Sequence, residues 1–105
     1  MDWYFYLAQF VSGLFLANGV PHFVRGISGQ RFQSPFASPR GVGESSPLVN
    51  VLWGFANLAA GFALLRAFEP QGPEEAAGWI ALGAGVLLAG VQLSRHFGRV
   101  RGNEG

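Results

Sequence analysis

Residues 3–23 read WYFYLAQFVSGLFLANGVPHF, with no charged side chain from Trp3 to Phe23. A helix of about 20 residues, at about 1.5 Å rise each, crosses the hydrocarbon core of a bilayer. Two later stretches share the property: residues 48–68, LVNVLWGFANLAAGFALLRAF, and residues 76–94, AAGWIALGAGVLLAGVQLS. The three together predict an all-α membrane protein with three transmembrane helices, at about 3–23, 48–68 and 76–94. A secretory signal peptide would need basic residues ahead of its apolar region, and only Asp2 stands there, so the first stretch reads as a retained helix. None of the three alternates polar and apolar residues with period two, which argues against a membrane β-barrel.

The boundaries have physical causes. Ser45, Ser46 and Pro47 precede the second span, a cap followed by a proline in the first turn. Glu69 and Pro70 end it, because proline lacks the N–H that would continue the ladder. Glu74 and Glu75 stand at the start of the third span and Arg95 and His96 at its end, each matching the sign of the helix dipole. What remains is a loop over 24–47, a turn over 69–75 and a tail over 95–105 whose end is expected to be irregular. The whole chain, 1–105, reads as one domain.

Composition agrees. Of 105 residues, 50% are hydrophobic and only 12% charged, against about 25% charged in soluble domains. An ordinary soluble enzyme is excluded on that ground. Cysteine is absent, which removes disulfides, thiolate metal sites and cysteine nucleophiles. A net charge of +1 gives no reason to expect nucleic acid.

All seven basic residues are arginines. Arg25, Arg31 and Arg40 follow the first span and Arg95, Arg99 and Arg101 follow the third, which puts six at one end of a three-span protein. Arg66 lies at the other end with Asp2, Glu69, Glu74 and Glu75. Positive-inside counting therefore predicts an outer N-terminus, a cytoplasmic loop and C-terminus, and an outer turn. Trp3, Tyr4, Tyr6 and Trp79 would ring the outer face and Trp53 lies nearer the inner one. Heavy use of Gly, Ala and Arg without Lys points to a bacterial plasma membrane.

Lipid tails are as apolar as leucine, so helices associate through close packing and interhelical hydrogen bonds. Small residues at four-residue spacing mark the candidate packing faces: Gly13 and Ala17 on the first helix, Ala59 and Ala63 on the second, and Ala77, Ala81, Gly85 and Ala89 on the third. Gly78, Gly83 and Gly90 fall outside that ladder, as expected of a helix contacted on two sides. Gln9 and Ser12 on the first helix, Asn50 and Asn57 on the second and Gln92 near the inner end of the third are polar residues within the spans, read either as interhelical hydrogen bonds or as the lining of a polar groove.

Asn18, His22 and Arg25 share one helical face. Pro21 lies among them and frees the carbonyl of Ala17. With Arg31 beyond the glycines at 26 and 29, they form a candidate contact for an anion or lipid phosphate, beside the plainer reading of a helix end at the headgroups. His22 and His96 should lie at matched depth, where the pair could ligate a haem, and either one alone could ligate a chlorophyll-type pigment. Two histidines without a carboxylate or thiolate do not make a metal site.

No catalytic constellation emerges: the serines cluster in the loop, no P-loop is present and no ionisable residue sits mid-span. The leading expectation is a small non-catalytic accessory subunit that packs against a larger membrane complex, with lipids and other subunits or further copies as partners. A self-assembling channel or carrier is the alternative, and a haem- or pigment-binding subunit through His22 or His96 a second one.

Overall fold

The computed structural model describes residues 2–102. Three helices carry the chain: α1 (Trp3–Ile27), α2 (Pro47–Ala67) and α3 (Glu75–Val100). All three are long and apolar enough to cross a membrane. The molecule measures 44 × 28 × 21 Å, and its long axis equals the about 40–45 Å of a bilayer with its headgroups.

α1 runs through Pro21 without a break and ends at Ile27, with Gly29 in a left-handed conformation just beyond. α2 starts as its sequence dictates: Ser46 is the N-cap, its hydroxyl accepts from the Val49 N–H at 3.2 Å, and Pro47 opens the first turn. α3 is entered through a short 3₁₀ turn at Gly72–Glu74 and continues to Val100. Arg95, His96 and Arg99 are therefore helical, where a tail was expected from residue 95. No proline follows Ser94, the helix runs through Gly98, and it ends before Gly102, which takes φ +76°. The expected irregular end of the tail, residues 103–105, lies outside the described residues.

α1 is the middle helix. α2 packs on it antiparallel, with Ser12 against Gly61, Gly19 against Gly54 and Gly26 against Pro47 and Val51. α3 packs on it parallel, with Gln9 near Gly78, Gly13 against Leu82 and Val86, and His22 near Phe97. Among the described residues α2 and α3 barely meet. The bundle is thus a V closed by α1, and a groove runs between its arms.

Burial is inverted relative to a water-soluble bundle. Ser12 and Asn50 are fully buried and Gln9 is 1% exposed, whereas Ile80 is 72% and Leu87 68% exposed. Surrounded by water, this would leave the apolar surface unburied and the polar groups inside. Surrounded by hydrocarbon it is favourable, because Ser12, Asn18, His22, Asn50 and Asn57 find internal partners and the apolar side chains meet lipid.

Two of the expected packing faces are corrected. Ala59 and Ala63 face outward, and α2 instead presents Asn50, Gly54, Asn57 and Gly61 to α1. Glycine permits a closer approach than alanine, and the asparagines meet His22 and Asn18 of α1 on that face. On α3, Ala77 is exposed and Ala81 half-buried, while Gly78, Gly85 and Ala89 form the contact. Gly13 does lie against α3, and Ala17 lines a space between α1 and α3.

The segment between α1 and α2 folds back as a strap. Strand β1 (Phe32–Gln33) pairs antiparallel with β2 (Glu44–Ser45), Phe32 opposite Ser45. Phe32 is 4% exposed, the most buried large apolar side chain described. Its ring meets Phe97 at 4.7 Å and His22 at 5.3 Å, with the Arg101 guanidinium 5.0 Å and that of Arg25 5.5 Å from its centroid. The strap is pinned by apolar and cation–π contact to the ends of α1 and α3.

Candidate functional site

The site builds outward from Asn50, one turn into α2. Its amide nitrogen lies 3.1 Å from the Phe32 carbonyl, 3.2 Å from that of Ser45 and 3.1 Å from that of Ser46. A nitrogen among three carbonyls must be the donor, which fixes the side chain's orientation. Oδ1 then accepts from His22 Nδ1 at 2.9 Å. Nδ1 of His22 therefore carries a proton, and Nε2 is the nitrogen that keeps a lone pair in the neutral ring. One asparagine ties α1, α2 and both strands of the strap.

Deeper in the bundle, Asn18 donates to Asn57 Oδ1 at 2.9 Å and Asn57 donates to the Trp53 carbonyl at 2.9 Å. Below that, the Ser12 hydroxyl donates to the Gly61 carbonyl at 2.6 Å. These bonds make a ladder along the α1–α2 seam. The same seam needs its glycines: a β-carbon at Gly19 would come 2.8 Å from the Gly54 carbonyl oxygen, inside contact distance.

From α3, His96 Nε2 lies 2.7 Å from the Gly41 carbonyl oxygen. A carbonyl only accepts, so this nitrogen is the donor and Nδ1 is left open. Gly41 sits at φ +74°, a conformation glycine adopts without strain, and its N–H donates to the Ser34 carbonyl at 2.9 Å. The strap is thus fastened to α3 as well as to α2.

Beneath the strap lies a cavity of about 190 Å³. Asn18 and His22 of α1, Trp53 of α2 and His96 of α3 wall it, and Gln33 and Ser34 roof it. Gln33 Oε1 accepts from Arg101 Nη2 at 3.1 Å, and the Ser34 and Ser45 hydroxyls bond each other. The Trp53 indole N–H is buried with no acceptor. Asn18 also stands in the wall of a second space of about 390 Å³, the groove between the arms of the V, lined by Val11, Leu14, Phe15, Ala89 and Leu93 with Asn57 and Gln92.

No family model, curated protein or solved structure matches this chain.

The candidate residues separate into groups. Asn18 and His22 turn inward to α2, while Arg25 donates to Gln30 Oε1 at 2.7 Å and Arg31 to the Glu44 carbonyl at 3.2 Å. The four do not converge on one anion, a correction to the face read from their spacing: the strap captures both arginines. Asn50 and Asn57 are in interhelical bonds. Gln9 is buried with neither amide atom bonded, and Gln92 is exposed on the groove. His22 and His96 do meet at one cavity, each with one ring nitrogen uncommitted. Its volume lies below that of pockets for drug-sized ligands, so a haem between these rings would require the strap to lift. Among the described residues no three His, Asp or Glu side chains cluster as a metal site.

Sequence reasoning missed Gln33, Ser34, Gly41 and Trp53 as cavity residues. Trp53 had a visible signal: it shares α2 with Asn50 and Asn57, within one turn of each.

Proposed function

We propose that this chain is a small non-catalytic integral membrane protein that packs as an accessory subunit against a larger membrane complex. One observation carries the reading. The outer faces of α2 and α3 keep small residues that the chain itself does not use: Ala56, Ala59, Ala63 and Ala67 are exposed, and nothing lies within 4 Å of a β-carbon built at Gly83 or Gly90. A small side chain offers little to lipid but lets another helix come close.

The competing reading, a self-assembled channel lined by asparagines, is weakened because Asn18, Asn50 and Asn57 are spent on bonds within the chain. The arginine asymmetry supports an outer N-terminus with the strap on the cytoplasmic side of a bacterial plasma membrane.

The test is gentle detergent extraction from the native membrane, followed by size, chain composition and a visible spectrum. Co-migration with larger chains, lost on Ala59→Leu or Gly83→Leu while the extracted chain stays folded, supports the subunit. A colourless homogeneous oligomer of this chain alone overturns it, and coloured fractions would move the two histidines to the front.

A further inference from the structure

We propose that the cavity beneath the strap binds the ring of a quinone or quinol, with the isoprenoid tail lying in the groove between α2 and α3. The inference stands on the chain's own fold and does not depend on the subunit reading.

The argument starts from hydrogen-bonding capacity. Two N–H groups on the wall remain available, the second amide hydrogen of Asn18 and the amide of Gln33, whose oxygen is taken by Arg101, and the Trp53 indole N–H is buried beside the cavity with no acceptor. Two imidazole lone pairs also remain, on His22 Nε2 and His96 Nδ1, because Asn50 and Gly41 occupy the other nitrogens. A buried indole N–H without an acceptor is costly, and a ligand oxygen would satisfy it.

The second step is charge. No arginine or carboxylate lines the cavity, so a phosphate or carboxylate head finds no fixed counter-charge. A quinone is neutral and offers two carbonyl acceptors, which suit N–H donors. Its reduced form is also neutral and offers two hydroxyls, which suit imidazole lone pairs. A wall with both kinds of group accommodates both redox forms.

Shape and access agree. Trp53, Phe97 and the two imidazoles give the cavity flat aromatic walls. The groove that shares Asn18 is lined mainly by Val11, Leu14, Phe15 and Leu93 and opens sideways, since α2 and α3 barely meet. An apolar ligand would therefore enter from the lipid phase, tail in the groove and head under the strap.

The test uses the purified full chain in lipid nanodiscs, titrated with a benzoquinone carrying a ten-carbon tail. With Trp3→Phe and Trp79→Phe in the background, Trp53 is the sole tryptophan, and saturable quenching of its fluorescence is expected. Trp53→Phe keeps an aromatic wall but removes the indole N–H and its five-membered ring, so its denaturation midpoint is measured alongside and must match that of the parent chain. Read by quinone retained per chain after equilibrium dialysis, it should weaken binding by about tenfold. Non-saturable quenching, unchanged retention by Trp53→Phe, or equal competition from a ten-carbon fatty alcohol would overturn the proposal, the last by assigning the cavity to acyl lipids.

Discussion

Gly13 of α1 and Gly85 of α3 lie across one crossing so tightly that neither tolerates a β-carbon. A carbon on Gly13 would run into the Leu82 carbonyl, and one on Gly85 into the Phe10 carbonyl. Backbone, not a flexible side chain, is the obstacle on both sides. Gly13→Ala and Gly85→Ala should each destabilise by about 1–3 kcal/mol, measured as a drop in the denaturation midpoint in mixed micelles. Gly83→Ala, where nothing lies within 4 Å, should leave the midpoint unchanged or slightly higher.

Asn50 yields a prediction about isosteres. Asn50→Asp preserves size but replaces a donor with an acceptor facing the carbonyls of Phe32, Ser45 and Ser46. It should be more damaging than Asn50→Ala, which leaves acceptors unpaired at about 1–3 kcal/mol. Limited proteolysis between residues 35 and 43 would report strap release. Equal protection in the two variants would contradict the donor assignment.

Gln9 is buried with both amide atoms unbonded, near Gly78 on α3. Gln9→Leu removes an uncompensated polar group at similar volume and should raise the unfolding midpoint, by up to about 1–3 kcal/mol. A lower midpoint would mean that bound water satisfies the amide.

The strap's fastening to α3 rests on His96 and Gly41. Gly41→Ala strains a left-handed residue by about 1–2 kcal/mol, and His96→Leu removes the 2.7 Å bond to the Gly41 carbonyl. Each should speed cleavage of the strap, and the double variant should be little worse than the more damaging single, because both act on one contact.

What the sequence could convey follows from which forces act locally. The three spans were legible because desolvation of the backbone demands long apolar helices, and Pro47 and Pro70 marked their limits. The contact faces were harder. Ala59 and Ala63 have the same spacing as true packing residues, and a helix wholly among apolar neighbours has no polar side to orient it. Asn50, Gly54 and Asn57 were recognisable as one face, but their partners depended on α1. The strap was least legible: the capture of Arg25 by Gln30, the pairing of Phe32 with Ser45 and the contact from His96 to Gly41 all depend on chain segments brought together only by the fold.

The placement of α1 between two helices that scarcely touch bears on biogenesis. As the chain leaves the ribosome, the helix made first is the one both later helices require. α2 would find its partner already waiting in the bilayer, and so would α3, so neither would have to pass through a stage of searching for the other. A rearranged gene that encodes α1 last would emit two hydrophobic segments with no mate, exposed to quality-control proteases until translation ends.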